Sequence, residues 1–108
     1  MVSRIVILEQ AQQDLFKLKD YLIENFSKKT WQEIYDKIKT SIQSLRTFPE
    51  SGGIPPELRD VHFTQYRQII SGMNRIIYEI HDDMIYIHII CDSRTDFTSL
   101  LMKRLLRN

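Results

Sequence analysis

The spacing of hydrophobic positions changes several times along this chain, and each change marks an element. The run Val2-Ser-Arg-Ile-Val-Ile-Leu8 is short and rich in β-branched residues, which predicts a first strand. From Glu9 the period lengthens. Ala11, Leu15, Leu18, Leu22 and Phe26 recur at three- and four-residue steps, while Gln12, Gln13, Lys17 and Lys19 fall elsewhere. That pattern predicts an amphipathic helix of about four turns. A second stripe follows through Trp31, Ile34, Ile38, Ile42 and Leu45, with Phe48 continuing it. Ser27 and Thr30 are both suitable N-caps, and Thr30-Trp-Gln-Glu33 fits a capping box. Pro49 and Gly52-Gly53 stop the pattern. Two amphipathic helices with so short a connection must pack as an antiparallel hairpin, both stripes turned to the core.

The segment from Phe48 to Arg59 holds all three prolines and two of the three glycines, and reads as a loop. Beyond it the period becomes two. Tyr66–Ser71 is a predicted strand, Gly72-Met-Asn74 a turn, and Arg75-Ile-Ile-Tyr-Glu-Ile80 a second strand. Asp82-Asp83 then turns the chain into Met84-Ile-Tyr-Ile-His-Ile-Ile-Cys91. Strict alternation separates Ile76, Tyr78 and Ile80 from Arg75, Ile77 and Glu79, and Ile85, Ile87 and Ile89 from Met84, Tyr86, His88 and Ile90. The aliphatic sets are expected to face the helices. The sets carrying Arg, Tyr and His are expected to face solvent or a partner. From Asp96 a helical stripe returns through Phe97, Leu100, Leu101 and Leu105. The expected fold is α+β: an N-terminal strand, an antiparallel helical hairpin, a three-stranded antiparallel meander and a C-terminal helix.

Composition narrows the function classes. The 108 residues suit one domain spanning 1–108, with 43% hydrophobic and 27% charged residues. The chain shows no apolar run of membrane-spanning length and no signal-peptide pattern at Met1-Val-Ser-Arg4. Cys91 is the sole cysteine, so no internal disulfide forms and a cytoplasmic location is expected. The formal net charge is +1, with acids and bases interleaved except at Lys103, Arg104 and Arg107. Such a balance argues against avid, non-specific nucleic-acid binding. His88 and Cys91 are three apart and point to opposite faces of a strand, and His62 and His81 have no cysteine nearby, so neither metal nor other cofactor is expected.

The order and spacing of several short signatures complete the reading. They are the helical hairpin, Phe48-Pro49 with Gly53, Pro56-Glu-Leu-Arg59, Asn74-Arg75-Ile-Ile-Tyr78, and Ser93-Arg94-Thr-Asp96 before an amphipathic tail. Together they resemble the RelE/ParE superfamily of bacterial type II toxins across essentially the whole chain. The resemblance implies a growth-inhibiting toxin with a role in plasmid stabilisation, held by a cognate antitoxin in a possible hetero-oligomer. Two activities share the scaffold. RelE-like members cleave mRNA on the ribosome, whereas ParE-like members poison DNA gyrase by binding.

Mapped by motif, Arg75 falls at the family's strand arginine and Arg94 at the arginine after the last strand. RelE-like enzymes carry two alternating lysines where this chain has Tyr66 and Gln68, and a closing tyrosine where it has Leu100. The resemblance therefore implies the ParE branch, with Arg75, Arg94, Tyr66 and Gln68 as target-binding residues. If the protein were instead a nuclease, the alternative partners would be ribosome and mRNA. Arg75, His88 and Arg94 would then be the catalytic candidates, since histidine is the commonest acid or base near neutral pH. A non-toxic antitoxin-binding domain is a further alternative. In the tail, Met102 and Leu106 lie four apart on a second helical face, flanked by Lys103, Arg104 and Arg107. They are the expected antitoxin contacts, with Leu105 beside them.

Overall fold

The computed structural model describes residues 2–61 and 63–104. The first apolar run forms strand β1 (Arg4–Ile7), and the two helical stripes form α1 (Glu9–Asn25) and α2 (Lys28–Ser44). Ser27 caps α2: its Oγ accepts from the Thr30 N–H at 3.1 Å. Thr30 thus lies inside the helix, and the capping box expected to start there does not form. Phe26 and Phe48 lie beyond the ends of their helices and are exposed, contrary to the stripes drawn through them.

After the loop come β2 (Tyr66–Ser71), β3 (Asn74–His81), β4 (Met84–Asp92) and α3 (Phe97–Arg104). The strands form a four-stranded sheet in the order β1-β4-β3-β2. The meander is antiparallel, whereas β1 pairs with β4 in parallel, from Arg4 against Met84 to Ile7 against Ile87. At the β3–β4 turn, Asp82 takes φ 58°, a left-handed conformation that aspartate tolerates better than most residues.

One core lies between the helical hairpin and the sheet. Ala11, Ile38, Ile42 and Leu45 pack there against Ile76, Tyr78, Ile85, Ile87 and Ile90. Tyr78 anchors the long loop from inside this core. Its hydroxyl donates to the Pro49 carbonyl at 2.7 Å and accepts from the Gly52 N–H at 3.0 Å. A side chain at Gly52 would collide with that hydroxyl and with the Gln68 carbonyl, so the position requires glycine. Arg67 ties the same loop, donating to the Gly52 carbonyl at 2.7 Å.

The sheet's other face is covered too. A 3-10 turn (Pro56–Leu58) and α3 lie over it, building a second cluster of Leu58, Tyr66, Ile77, Ile89, Phe97 and Leu101. Ile89 and Ile90 therefore exchange the faces that alternation gave them. The cause is a β-bulge: Ile77 pairs with Ile89 but Tyr78 with Ile87, leaving His88 unpaired and reversing the alternation beyond it.

Strand β4 runs past the end of β1, which exposes a stretch of its backbone edge. Asp14 of α1 and Arg104 of α3 close that edge. The Asp14 carboxylate accepts from the Ile90 N–H at 3.0 Å, and Arg104 donates to the His88 carbonyl at 2.7 Å. The two side chains also pair with each other at 3.1 Å. Such sealing removes the template for strand addition. Arg104 is therefore not part of a free basic group. No helix among the described residues is long and apolar enough to cross a membrane.

Candidate functional site

Arg75 begins β3 and points to the face covered by α3. It is 8% exposed, and each of its three guanidinium nitrogens donates at least one hydrogen bond. Nη1 and Nη2 donate to the two Glu57 oxygens at 3.0 and 2.9 Å. Nε and Nη2 donate to Gln68 Oε1 at 2.9 and 2.6 Å. The cation also stacks on the Phe97 ring, 3.8 Å from its centroid. The Arg75 hydrogen bonds hold the Glu57 carboxyl below the usual carboxylate range, outweighing its partial desolvation. This forked pairing joins β3, β2, the proline-rich loop and α3. The expectation of a solvent-facing arginine fails because α3 and the 3-10 turn lie above it.

Further along the same face, His88 Nε2 lies 3.0 Å from Glu79 Oε1, with Tyr66 edge-on to the imidazole at 5.1 Å. Burial, then the Glu79 charge, raises the Tyr66 pKa, so its phenol stays protonated at neutral pH. Orientation of His88 by a carboxylate is a proton-transfer arrangement in principle. Phosphodiester cleavage also needs cations free to meet the phosphate. Arg75 and Arg104, whose guanidiniums serve this face and its edge, are both committed to carboxylates.

Arg94 lies elsewhere. Its side chain is 75% exposed and folds back on Asp92, with Nε and Nη2 at 2.9 and 3.0 Å from the two carboxylate oxygens. It lines an open groove of about 640 Å³ on the helical side of the sheet, with Tyr21, Leu22, Phe26 and Met73. Tyr21 and Phe26 meet edge-on at 6.3 Å. Cys91 also lines the groove; burial pushes its thiol up to about 11, so it is no nucleophile at neutral pH.

Arg75 and Arg94 thus serve different faces instead of converging. Of the four residues expected to meet a target, Arg75 and Gln68 bond to each other and Tyr66 is buried, while Arg94 is open. Met102 is exposed, as an antitoxin contact would be; Leu105 and Leu106 lie outside the described residues. Sequence reasoning overlooked Glu57 and Asp14. Asp14 had a signal, being three residues beyond Ala11 and four before Leu18, on the apolar stripe itself. Glu57 had none beyond its place in a quoted motif.

A strand, a helical hairpin and an antiparallel meander closed by a C-terminal helix define a RelE/ParE-type toxin scaffold, here with its sheet face covered. The family of ParE toxins of type II toxin-antitoxin systems, parDE, matches residues 5–96, and the chain belongs to it. No curated protein matches the sequence. The fold is similar to a solved chain of the chromosomal ParDE toxin-antitoxin system from P. aeruginosa, with a TM-score of 0.69 and 16% identity. The match covers 85% of this chain and 96% of that one.

Proposed function

We propose that this ParE-type toxin stops growth by binding DNA gyrase and not by cutting RNA, and that a cognate antitoxin neutralises it in a hetero-oligomer. The observation that carries the reading is the state of Arg75. A guanidinium held by Glu57, Gln68 and Phe97 beneath α3 has four of its five N–H donors committed to protein acceptors and its charge paired with a carboxylate, which leaves it poorly placed to meet a phosphate. Arg94, exposed at the mouth of an apolar groove, supports a protein target better than a phosphodiester. Met102 is the antitoxin contact that the exposed flank of α3 supports.

Expression without the antitoxin, with DNA-damage response and message integrity followed in parallel, tests the proposal. The expected outcome is growth arrest with the damage response induced and messages intact. A second reading, ribosome-dependent mRNA cleavage, draws on the His88–Glu79 pair at 3.0 Å. Codon-position-specific cuts that vanish in His88→Ala would establish that reading and refute the first.

A further inference from the structure

Arg94 is exposed but not free to swing. Asp92, two residues earlier, holds its guanidinium in a fork, with Nε 2.9 Å from Oδ1 and Nη2 3.0 Å from Oδ2. The Arg94 backbone N–H donates to the same Oδ1 at 2.8 Å, closing a short turn. The platform beneath is fixed. Asp92 ends β4 and pairs with Asn74 across the sheet. Its carbonyl accepts from the Thr95 N–H at 3.0 Å, and the Ser93 N–H donates to the Met73 carbonyl at 2.7 Å. The Arg94 hydrogen bonds hold the Asp92 carboxyl below the usual carboxylate range, so the pair is ionised at neutral pH. Most exposed ion pairs order their side chains weakly, but a forked arginine–carboxylate pair on a rigid turn is the exception. The fork uses one donor on Nε and one on Nη2. Both donors on Nη1 and the second on Nη2 meet no protein acceptor among the described residues.

We propose that Asp92 is a positioning residue for target recognition. It presents Arg94 at the groove mouth as a charge-compensated donor edge for a neutral oxygen of the target, a main-chain carbonyl or a side-chain amide. The assignment rests on the gyrase reading and refines it. Charge decides the class of acceptor. The charged residues lining the groove are Asp14, Lys17, Asp92 and Arg94, whose formal charges cancel. A target carboxylate approaching Nη1 is attracted by Arg94 and repelled by Asp92 beside it, while it loses its hydration. A carbonyl or amide oxygen loses far less hydration and still accepts from the open donors. Without Asp92 the same guanidinium would be a mobile, uncompensated cation, attracting acids in general over a range set by salt. Holding the fork beforehand also removes the cost of ordering a long side chain on binding. Arg75 is compensated by Glu57 in the same way, but it lies beneath α3 and cannot present its donors.

The test measures binding of purified gyrase to immobilised full-length toxin, with and without relaxed plasmid. The toxins are wild type, Asp92→Asn, Arg94→Ala and the double variant. Asparagine keeps an oxygen for the Arg94 N–H, so the turn persists, but it removes the charge and the second acceptor of the fork. Arg94→Ala should weaken binding by about tenfold. Asp92→Asn should weaken it by about threefold to tenfold, the range of reordering one long side chain. In the Arg94→Ala background Asp92→Asn should add nothing, because it acts through Arg94. Wild-type affinity should change by less than about twofold between about 0.1 and 0.3 M salt, whereas Asp92→Asn, with its cation uncovered, should become salt-dependent. Arg94→Lys keeps the charge but cannot form the fork, so it should match Asp92→Asn even if that variant unsettles the turn. Circular dichroism and melting temperature check the fold of each. Unchanged or tighter binding by Asp92→Asn and Arg94→Lys would overturn the assignment and leave the gyrase reading standing. So would an equal loss from Asp92→Asn in the Arg94→Ala background, or wild-type affinity that falls steeply with salt. No wild-type binding, with or without plasmid, would overturn both.

Discussion

Arg75 and Arg94 are the same residue type, both mapped onto a toxin's functional arginines, yet the fold treats them in opposite ways. Arg75 is locked between two acceptors and an aromatic ring, and joins four segments of the chain. Arg94 stands in solvent with one neighbouring carboxylate. A local motif gives an arginine its address on a strand, whereas its role depends on what packs above it. At Arg75 that is α3, through Phe97. Arg94 pairs with Asp92 but lies open at the edge of a groove, so its guanidinium is accessible to a partner.

The contrast can be broken from either side, and the largest effect belongs to the cover. Phe97→Ala should cost about 3 kcal/mol, because it opens the second cluster and removes the Arg75 platform. Thermal or urea unfolding measures it; a change below about 1 kcal/mol would mean that α3 does not hold the sheet face. Arg75→Ala should follow at about 2 to 3 kcal/mol, several times the cost of removing a solvent-facing cation. A melting temperature unmoved by Arg75→Ala would return that arginine to the open surface.

Acid should expose the same clamp more gently. Glu57 has a folded pKa below its unfolded one. Its contribution is therefore complete above the unfolded value and disappears as pH falls through the folded value. Stability of the wild type should drop through that acid window more than stability of Glu57→Gln, as read from unfolding midpoints at successive pH values. Parallel curves would show that the pairing adds nothing. The smallest structural effect is expected at Arg94→Ala: an unchanged melting temperature with reduced toxicity in antitoxin-free cells. Full toxicity in that variant would remove Arg94 from the target surface.

Much of this architecture was legible because helices and strands carry different periods. The two stripes of α1 and α2, the meander and the apolar side of α3 all follow from spacing. Facing within β4 did not. Its run Ile85-Tyr-Ile-His-Ile-Ile90 places β-branched residues on both sides, so alternation alone could not reveal a bulge at His88. The parallel pairing of β1 with β4 was equally hidden, since a short apolar strand does not encode its partner. The site was less legible than the fold for a related reason. The stripe Phe97, Leu100, Leu101 says that α3 docks but not where, and its docking on β3 decides whether Arg75 reaches solvent.

Binding to gyrase is the proposed toxic act, and gyrase activity tests it most directly. Purified toxin titrated into a supercoiling reaction with gyrase and relaxed plasmid should abolish supercoiling or trap cleaved DNA, with Arg94→Ala needing a higher concentration. Undiminished supercoiling at saturating, folded toxin would rule out gyrase as the target.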